Sequence, residues 1–225
     1  MLILLRQGKI SKWFSGIGQE AISVGVTPAL STEDMLFPMH RNLGVFTTRA
    51  VPLERLFAQW QGKALGFTKG RDRSFHFGTM DYNIVGMISH LGPQLSLASG
   101  VALANTLSKN GQIALAFTGE GGTSEGEFHE ALNTAAVWQL PVIFVIENNG
   151  YAMGTAVKRS SAETEFHRRG TAFRIPGMDV NGMDVLEVRN AAEIAFKHVR
   201  DGKGPVLMEL NTYRYRGHSM SDPAK

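Results

Sequence analysis

Two apolar runs, Ile113 to Phe117 and Val142 to Ile146, soon break off into residues that strands tolerate poorly. Gly119-Glu120-Gly121-Gly122 follows the first and Glu147-Asn148-Asn149-Gly150 the second. Runs of that length, apolar at every position, suit strands covered on both faces. Between them, Glu127 to Trp138 has helical composition, and Ser124 with Glu127 has the S-x-x-E spacing of a capping box. The chain therefore predicts a strand-helix-strand unit. Such crossovers are right-handed in roughly 98% of cases, so the two strands run parallel and both loops open on one sheet edge. Ligands of open α/β sheets bind along that edge. A third run, Val206 to Leu210, precedes His218 and should deliver it to the same place.

The residue types on this edge suit a divalent cation and a diphosphate. Magnesium takes about six oxygens at ~2.0–2.1 Å, usually only one or two of them from carboxylates. Glu120 offers a carboxylate, Asn149 an amide oxygen, and the chain near Tyr151 a backbone carbonyl. The glycines at 119, 121 and 122 admit close backbone approach, and the helix N-terminus beyond them presents free N–H groups to an anion. Taken singly, Gly-Glu-Gly is a common loop tripeptide and Asn-Asn-Gly a good turn. A complete strand-helix-strand unit lying between them makes the pair more specific than either.

The stretch from Gly119 to Thr155 resembles the bipartite thiamine diphosphate motif, usually written G-D-G followed by N-N. It resembles in particular the α-type subunits of the decarboxylating component of 2-oxo acid dehydrogenases, such as the pyruvate, branched-chain 2-oxo acid and acetoin enzymes. The resemblance continues through Gly18-Gln19-Glu20-Ala21, His40-Arg41, Gly70-Arg71, Ile88 to Gln94, and Tyr215 to Pro223, which is nearly the whole chain. It implies an α/β fold with a mostly parallel sheet and helices on both faces, the thiamine diphosphate-binding fold of the diphosphate half. A single domain over residues 1–225, shortened at both ends relative to the family, is expected.

By that resemblance Glu120, Asn149 and the Tyr151 carbonyl are the magnesium ligands, and Gly121 and Gly122 lie against the diphosphate. Arg41 corresponds to a phosphate clamp; the neighbouring His40 position, a tyrosine in many members, faces the cofactor. Ser89 and Leu91 fall in the segment that cradles the aminopyrimidine and bends the cofactor. His218 matches the catalytic loop histidine beside diphosphate and substrate. Each residue also has a plainer explanation: a surface pair for His40 and Arg41, core packing for Leu91, a solvated loop for His218. Glu120 replaces the commoner aspartate, as in some branched-chain enzymes, which tilts substrate choice slightly toward branched-chain 2-oxo acids. The family's pyrimidine-activating glutamate comes from a second domain for which this chain has no room, so a β-type subunit is expected to supply it. A lipoyl-bearing acyltransferase would take the acyl group. An acetoin-cleaving relative and a non-catalytic cofactor-binding or interaction domain remain open.

Composition sets looser bounds. At 43% apolar residues the chain can bury one sizeable core, and Met1 to Leu5 is too short for a span or a signal segment. Zero cysteines exclude disulfides and thiolate metal sites, compatible with a cytoplasmic setting or, in a eukaryote, the mitochondrial matrix. The net charge of +3 is dispersed, which suits an anionic cofactor better than nucleic acid. Helices are expected at Gln19 to Leu30, Leu53 to Trp60, Gln94 to Leu107 behind Pro93, and Val185 to Val199 opened by Asp184 with Glu187. Lys158 to Arg174 lacks a period and is expected as a mobile surface loop. The His218 loop is also expected to be mobile, with Ser219 placed so that an added phosphate would repel a bound diphosphate.

Overall fold

Apolar residues on alternate sides of the central strands divide the core in two. Ala114, Ala116, Val142, Phe144 and Ile146 pack to one side, while Leu115, Phe117, Ile143 and Val145 pack to the other. The structure, a computed structural model, describes residues 1–72, 76–220 and 222. Ser221 and Pro223 of the terminal motif lie outside the described residues. Its strands are β1 (Met35–Phe37), β2 (Ala114–Gly119), β3 (Val142–Asn148), the short hairpin β4 (Tyr151–Ala152) and β5 (Thr155–Ala156), β6 (Gly177–Asn181) and β7 (Val206–Asn211). Its helices are α1 (Leu2–Arg6), α2 (Glu20–Val26), α3 (Leu43–Thr48), α4 (Leu53–Trp60), α5 (Gly92–Ser108), α6 (Gly126–Val137), α7 (Val157–Ser160) and α8 (Val185–Arg200).

The main sheet has the order β1-β2-β3-β7-β6, and every pair in it is parallel. Steps from β1 to β2 to β3 run one way across the sheet, carried by α5 and α6 on one face. The step from β6 to β7 runs the opposite way, with α8 and α2 on the other face. A constant crossover hand requires that switch of face. The loops leaving β2, β3 and β7 consequently share the carboxyl edge, as the sequence predicts.

At the amino edge, Asp34 is fully buried and binds the frame together. Its carboxylate accepts the N–H groups of Ile113 and Ser31, each at 2.8 Å, and the guanidinium of Arg200 from the end of α8. Arg49 donates to the carbonyls of Ser31, Thr32 and Asp34. Early and late residues meet on the opposite side: Met220 N–H donates to the Trp13 carbonyl at 2.8 Å, and Thr212 Oγ1 to the Gly18 carbonyl at 2.5 Å.

Several sequence expectations need correction. α6 starts at Gly126 with Glu125 at its N-cap and no side-chain cap, because Glu120 to Ser124 is already wound into a 3-10 turn. Ser124 and Glu127 therefore form no capping box. Glu125 instead accepts Gly92 N–H at 3.2 Å, serving the start of α5. Lys158 to Arg174 is structured: α7 is followed by a 3-10 helix, Phe166–Phe173, whose Phe166 is buried. A repeat near three residues matches neither the helix nor the strand period. Arg169 ties this segment to the glycine turn, donating to Thr123 O and Oγ1 at 2.9 Å. The Asp184 cap on α8 is as expected, its carboxylate accepting from Leu186 and Glu187 N–H.

Candidate functional site

A cavity of about 880 Å³ opens at the carboxyl edge, and every site residue proposed from the sequence lines it. Glu120 begins the turn after β2, Asn149 follows β3, and His218 stands in the loop beyond β7. His40 and Arg41 come from the loop after β1, and Ser89 and Leu91 from the chain entering α5.

Glu120 is only 3% exposed, and its Oε1 has no hydrogen-bond partner. Its Oε2 accepts a long contact from Asn149 N–H at 3.4 Å. Burial pushes this carboxyl above its ordinary range, against the pull of those backbone contacts and of Arg214 and Arg41. A buried, underserved carboxylate on a cavity wall is a site that a cation relieves.

Glu147, quoted in the sequence as part of a turn but given no role, sets the orientation of the neighbouring ligand. It is fully buried and accepts Gln19 Nε2 and Asn42 Nδ2, each at 2.5 Å. Both amides donate to it, so Gln19 turns its amino group toward Glu147 and its oxygen away. That oxygen receives Asn149 Nδ2 at 3.3 Å, which leaves Asn149 Oδ1 on the opposite side, where it accepts Tyr151 N–H. One buried acid thereby fixes two amides in series and presents the Asn149 oxygen rather than its nitrogen. A charged residue closing a strand that is otherwise apolar was the available signal.

Tyr151 is placed less simply. Its carbonyl accepts Arg214 Nη1 at 3.1 Å, while Nη2 of the same guanidinium donates to the Met153 carbonyl at 2.6 Å. A cation already faces the carbonyl assigned to magnesium, leaving it one further lone pair. Gly121 is required by packing: a Cβ there would lie 2.5 Å from that of Ala152 in the hairpin. At Gly122 it would meet Thr118 Oγ1. Above Gly122 sits Leu91, with φ of 64° and ψ of −47°. Gly92 N–H closes the turn onto the His90 carbonyl at 2.8 Å, the rarer and strained form of γ-turn. Ser89 Oγ is 2.5 Å from His76 Nε2, a residue the sequence had not singled out.

Arg41 is buried and engaged through both terminal nitrogens. It donates to the carbonyls of Ser15 at 2.9 Å and His218 at 2.7 Å, and its Nη2 lies 3.1 Å from His218 Nδ1. The guanidinium can only donate, so Nδ1 accepts and the ring proton of neutral His218 resides on Nε2. Burial, then Arg41 and Arg214, hold His218 below its usual range. Burial lowers Arg41 to about 10, which keeps it a cation at neutral pH. The sequence expectation of a free phosphate clamp becomes an arginine that also holds the histidine loop. Ser219 in that loop is buried, its N–H donating to Asp222 Oδ2 at 2.7 Å.

His40 packs against Phe14 and His218, with ring centroids 4.5 and 5.8 Å away. Burial, followed by Arg41, pushes it down to about 3. The unfolded chain takes up this proton near 6.5 and the folded chain near 3, so the contribution is full above pH 6.5 and drains as pH falls toward 3. Glu147, raised to about 7 by burial, acts with the opposite sign between 7 and 4.5. His40→Phe is therefore expected to flatten the acid limb below pH 4.5, by about 2 kcal/mol at pH 3. Urea unfolding at pH 4.5 and 3 would show it; parallel losses in parent and variant would rule it out.

The chain matches known proteins over nearly all of its length. A family profile described as Dehydrogenase E1 component matches residues 1–225. Pyruvate dehydrogenase E1 component subunit alpha of Rhizobium meliloti (strain 1021) is 44% identical over 93% of this chain and 60% of its own length. The mitochondrial testis-specific form from Rattus norvegicus is 46% identical over 92% of this chain and 52% of its own. The Zymomonas mobilis subunit is 44% identical over 93% and 59%, respectively. The chain thus spans little more than half the length of these curated relatives. With a full-length profile match and the glycine and asparagine turns meeting at one edge of a parallel sheet, the chain belongs to the dehydrogenase E1 component family.

Proposed function

We propose that this chain forms the metal and diphosphate half of a thiamine diphosphate-dependent 2-oxo acid decarboxylating component. The buried Glu120 carboxylate, with one oxygen unpartnered and the other taking only the long Asn149 N–H contact, carries this reading. Glu120, Asn149 and the Tyr151 carbonyl would hold magnesium, with Gly121 and Gly122 against the diphosphate. The cofactor, when bound, supplies an acidic thiazolium carbon and an electron sink. His218 would offer its Nε2–H to substrate or diphosphate oxygen, held in that tautomer by Arg41. Neutral His40 and Phe14 make the adjoining wall, while Ser89 and Leu91 face the pyrimidine end.

The other acids lining the cavity are occupied: Glu147 by Gln19 and Asn42, Glu125 by Gly92, Asp222 by Ser219, and Asp72 near His76. By the family resemblance, a β-type partner would supply the pyrimidine-activating glutamate and a lipoyl-bearing acyltransferase would receive the acyl group. Pyruvate is the substrate proposed, from the names its relatives carry. Glu120 sits at the metal end, where it reads no substrate side chain, so it gives branched-chain acids little support.

The isolated chain, saturated with thiamine diphosphate and magnesium, is expected to release no carbon dioxide from pyruvate. Adding a β-type partner should accelerate exchange of the thiazolium proton and start decarboxylation. Robust turnover by the chain alone, verified free of partner by mass spectrometry, would defeat the divided site. Stable assembly with no cofactor uptake would point instead to an interaction domain.

A further inference from the structure

The two oxygens of the buried Glu147 carboxylate serve different elements: Oε1 accepts Asn42 Nδ2 and Oε2 accepts Gln19 Nε2. The Asn42 branch is locked. Its Oδ1 accepts Met39 N–H at 2.6 Å and its Nδ2 also reaches Ser23 Oγ at 3.0 Å, and all three residues are buried. Turning that amide over would set two N–H groups against each other where no water can serve either. The Gln19 branch turns at less cost. It ends at Asn149, half-buried on the cavity wall, whose Nδ2 donates to Gln19 Oε1 and whose Oδ1 accepts the N–H of exposed Tyr151 at 3.3 Å. A reversal of hydrogen-bond direction at residue 147 therefore travels outward to Asn149, not inward to the loop that carries His40 and Arg41.

We propose that Glu147 is a positioning residue for the metal, deciding through Gln19 that Asn149 keeps its oxygen and not its amide nitrogen for a cation; this rests on the magnesium reading above. With Nδ2 committed to Gln19, the Asn149 oxygen retains a second lone pair beside the Tyr151 N–H. Magnesium binds oxygen and is repelled by an amide N–H, so the direction of the relay sets affinity. Glu147→Gln keeps the shape of the side chain, but the new amide cannot accept from both neighbours. Its oxygen keeps Asn42, its nitrogen faces Gln19, Gln19 turns over, and Asn149 follows. Exchanging the two residues, Glu147→Gln together with Gln19→Glu, restores every direction. The amide at 147 then accepts from Asn42 and donates to the carboxylate at 19, whose other oxygen accepts Asn149 Nδ2.

The test follows thiamine diphosphate uptake calorimetrically against magnesium, on the chain assembled with a β-type partner and well below the melting temperature of each variant. Glu147→Gln is expected to raise the magnesium needed for half-saturation about tenfold or more, and the exchanged pair to return it to within about threefold of the parent. In an Asn149→Ala background no amide remains to be turned, so Glu147→Gln should add less than about twofold. A Glu147→Gln protein with the parent's magnesium dependence would overturn the relay and leave the metal reading intact. So would an exchanged pair as weak as the single variant, which would make charge at position 147 the cause rather than direction, and so would an undiminished loss in the Asn149→Ala background. A parent that takes up no thiamine diphosphate at any magnesium concentration would overturn both.

Discussion

Replacing Glu120 with alanine is expected to abolish magnesium-dependent uptake of thiamine diphosphate and, in the same protein, to stabilise the cofactor-free fold. The two effects have one cause. The carboxylate is 3% exposed, one oxygen has no partner, and the other has only a 3.4 Å contact. Removing it abolishes an unfavourable burial of roughly 1 kcal/mol, and its place on a cavity wall lets water fill the space rather than leave a void. Loss of the sole carboxylate assigned to the metal should weaken binding at least a hundredfold, on the order of 3 kcal/mol. Calorimetric titration at fixed magnesium, paired with thermal melting without cofactor, reads both. Asn149→Ala removes a neutral ligand that water can replace, so a loss of about tenfold is expected. A Glu120→Ala protein that binds as tightly as the parent would refute the metal assignment, and one that melts lower without cofactor would show Glu120 to be a structural acid.

The second large effect lies at the other end of the strands. Asp34→Ala is expected to cost about 3 kcal/mol of folding stability, because the N–H groups of Ile113 and Ser31 and the Arg200 guanidinium lose their acceptor together. Ligand affinity measured well below the unfolding transition should be unchanged, since the residue precedes β1 at the amino edge. Urea unfolding followed by fluorescence gives the stability difference. A loss below about 1 kcal/mol would mean that the buried network relaxes around the gap.

What the sequence made legible was local and strongly patterned. β2 and β3 were readable from unbroken apolar runs and β7 from a largely apolar one, α5 from Pro93 in its first turn, and α8 from its Asp184 cap. β1 escaped because three residues before Pro38 give no period. β6 escaped because an edge strand reading Gly-Met-Asp-Val-Asn buries little beyond Val180. Glu120, Asn149 and His218 were placed on a common edge by topology alone. Their settings were not visible: the relay from Glu147 to Asn149 passes through Gln19, 128 residues from Glu147, and no local pattern encodes such a pairing. Arg41 had the right neighbourhood and a busier task than expected, because its partners come from Ser15 and His218.

The pairing of early residues with late ones has a consequence for how the protein is born. β2, α6 and β3 are contiguous, and a newly made chain can assemble them as soon as that stretch is available. The cavity behaves otherwise: Arg41 waits for His218, the Trp13 carbonyl for Met220, and the Gly18 carbonyl for Thr212. Synthesis from the amino terminus delivers one set of partners long before the other. The frame therefore exists before the site does, and a chain released short of His218 would be folded through its centre yet hold an unfinished, open mouth.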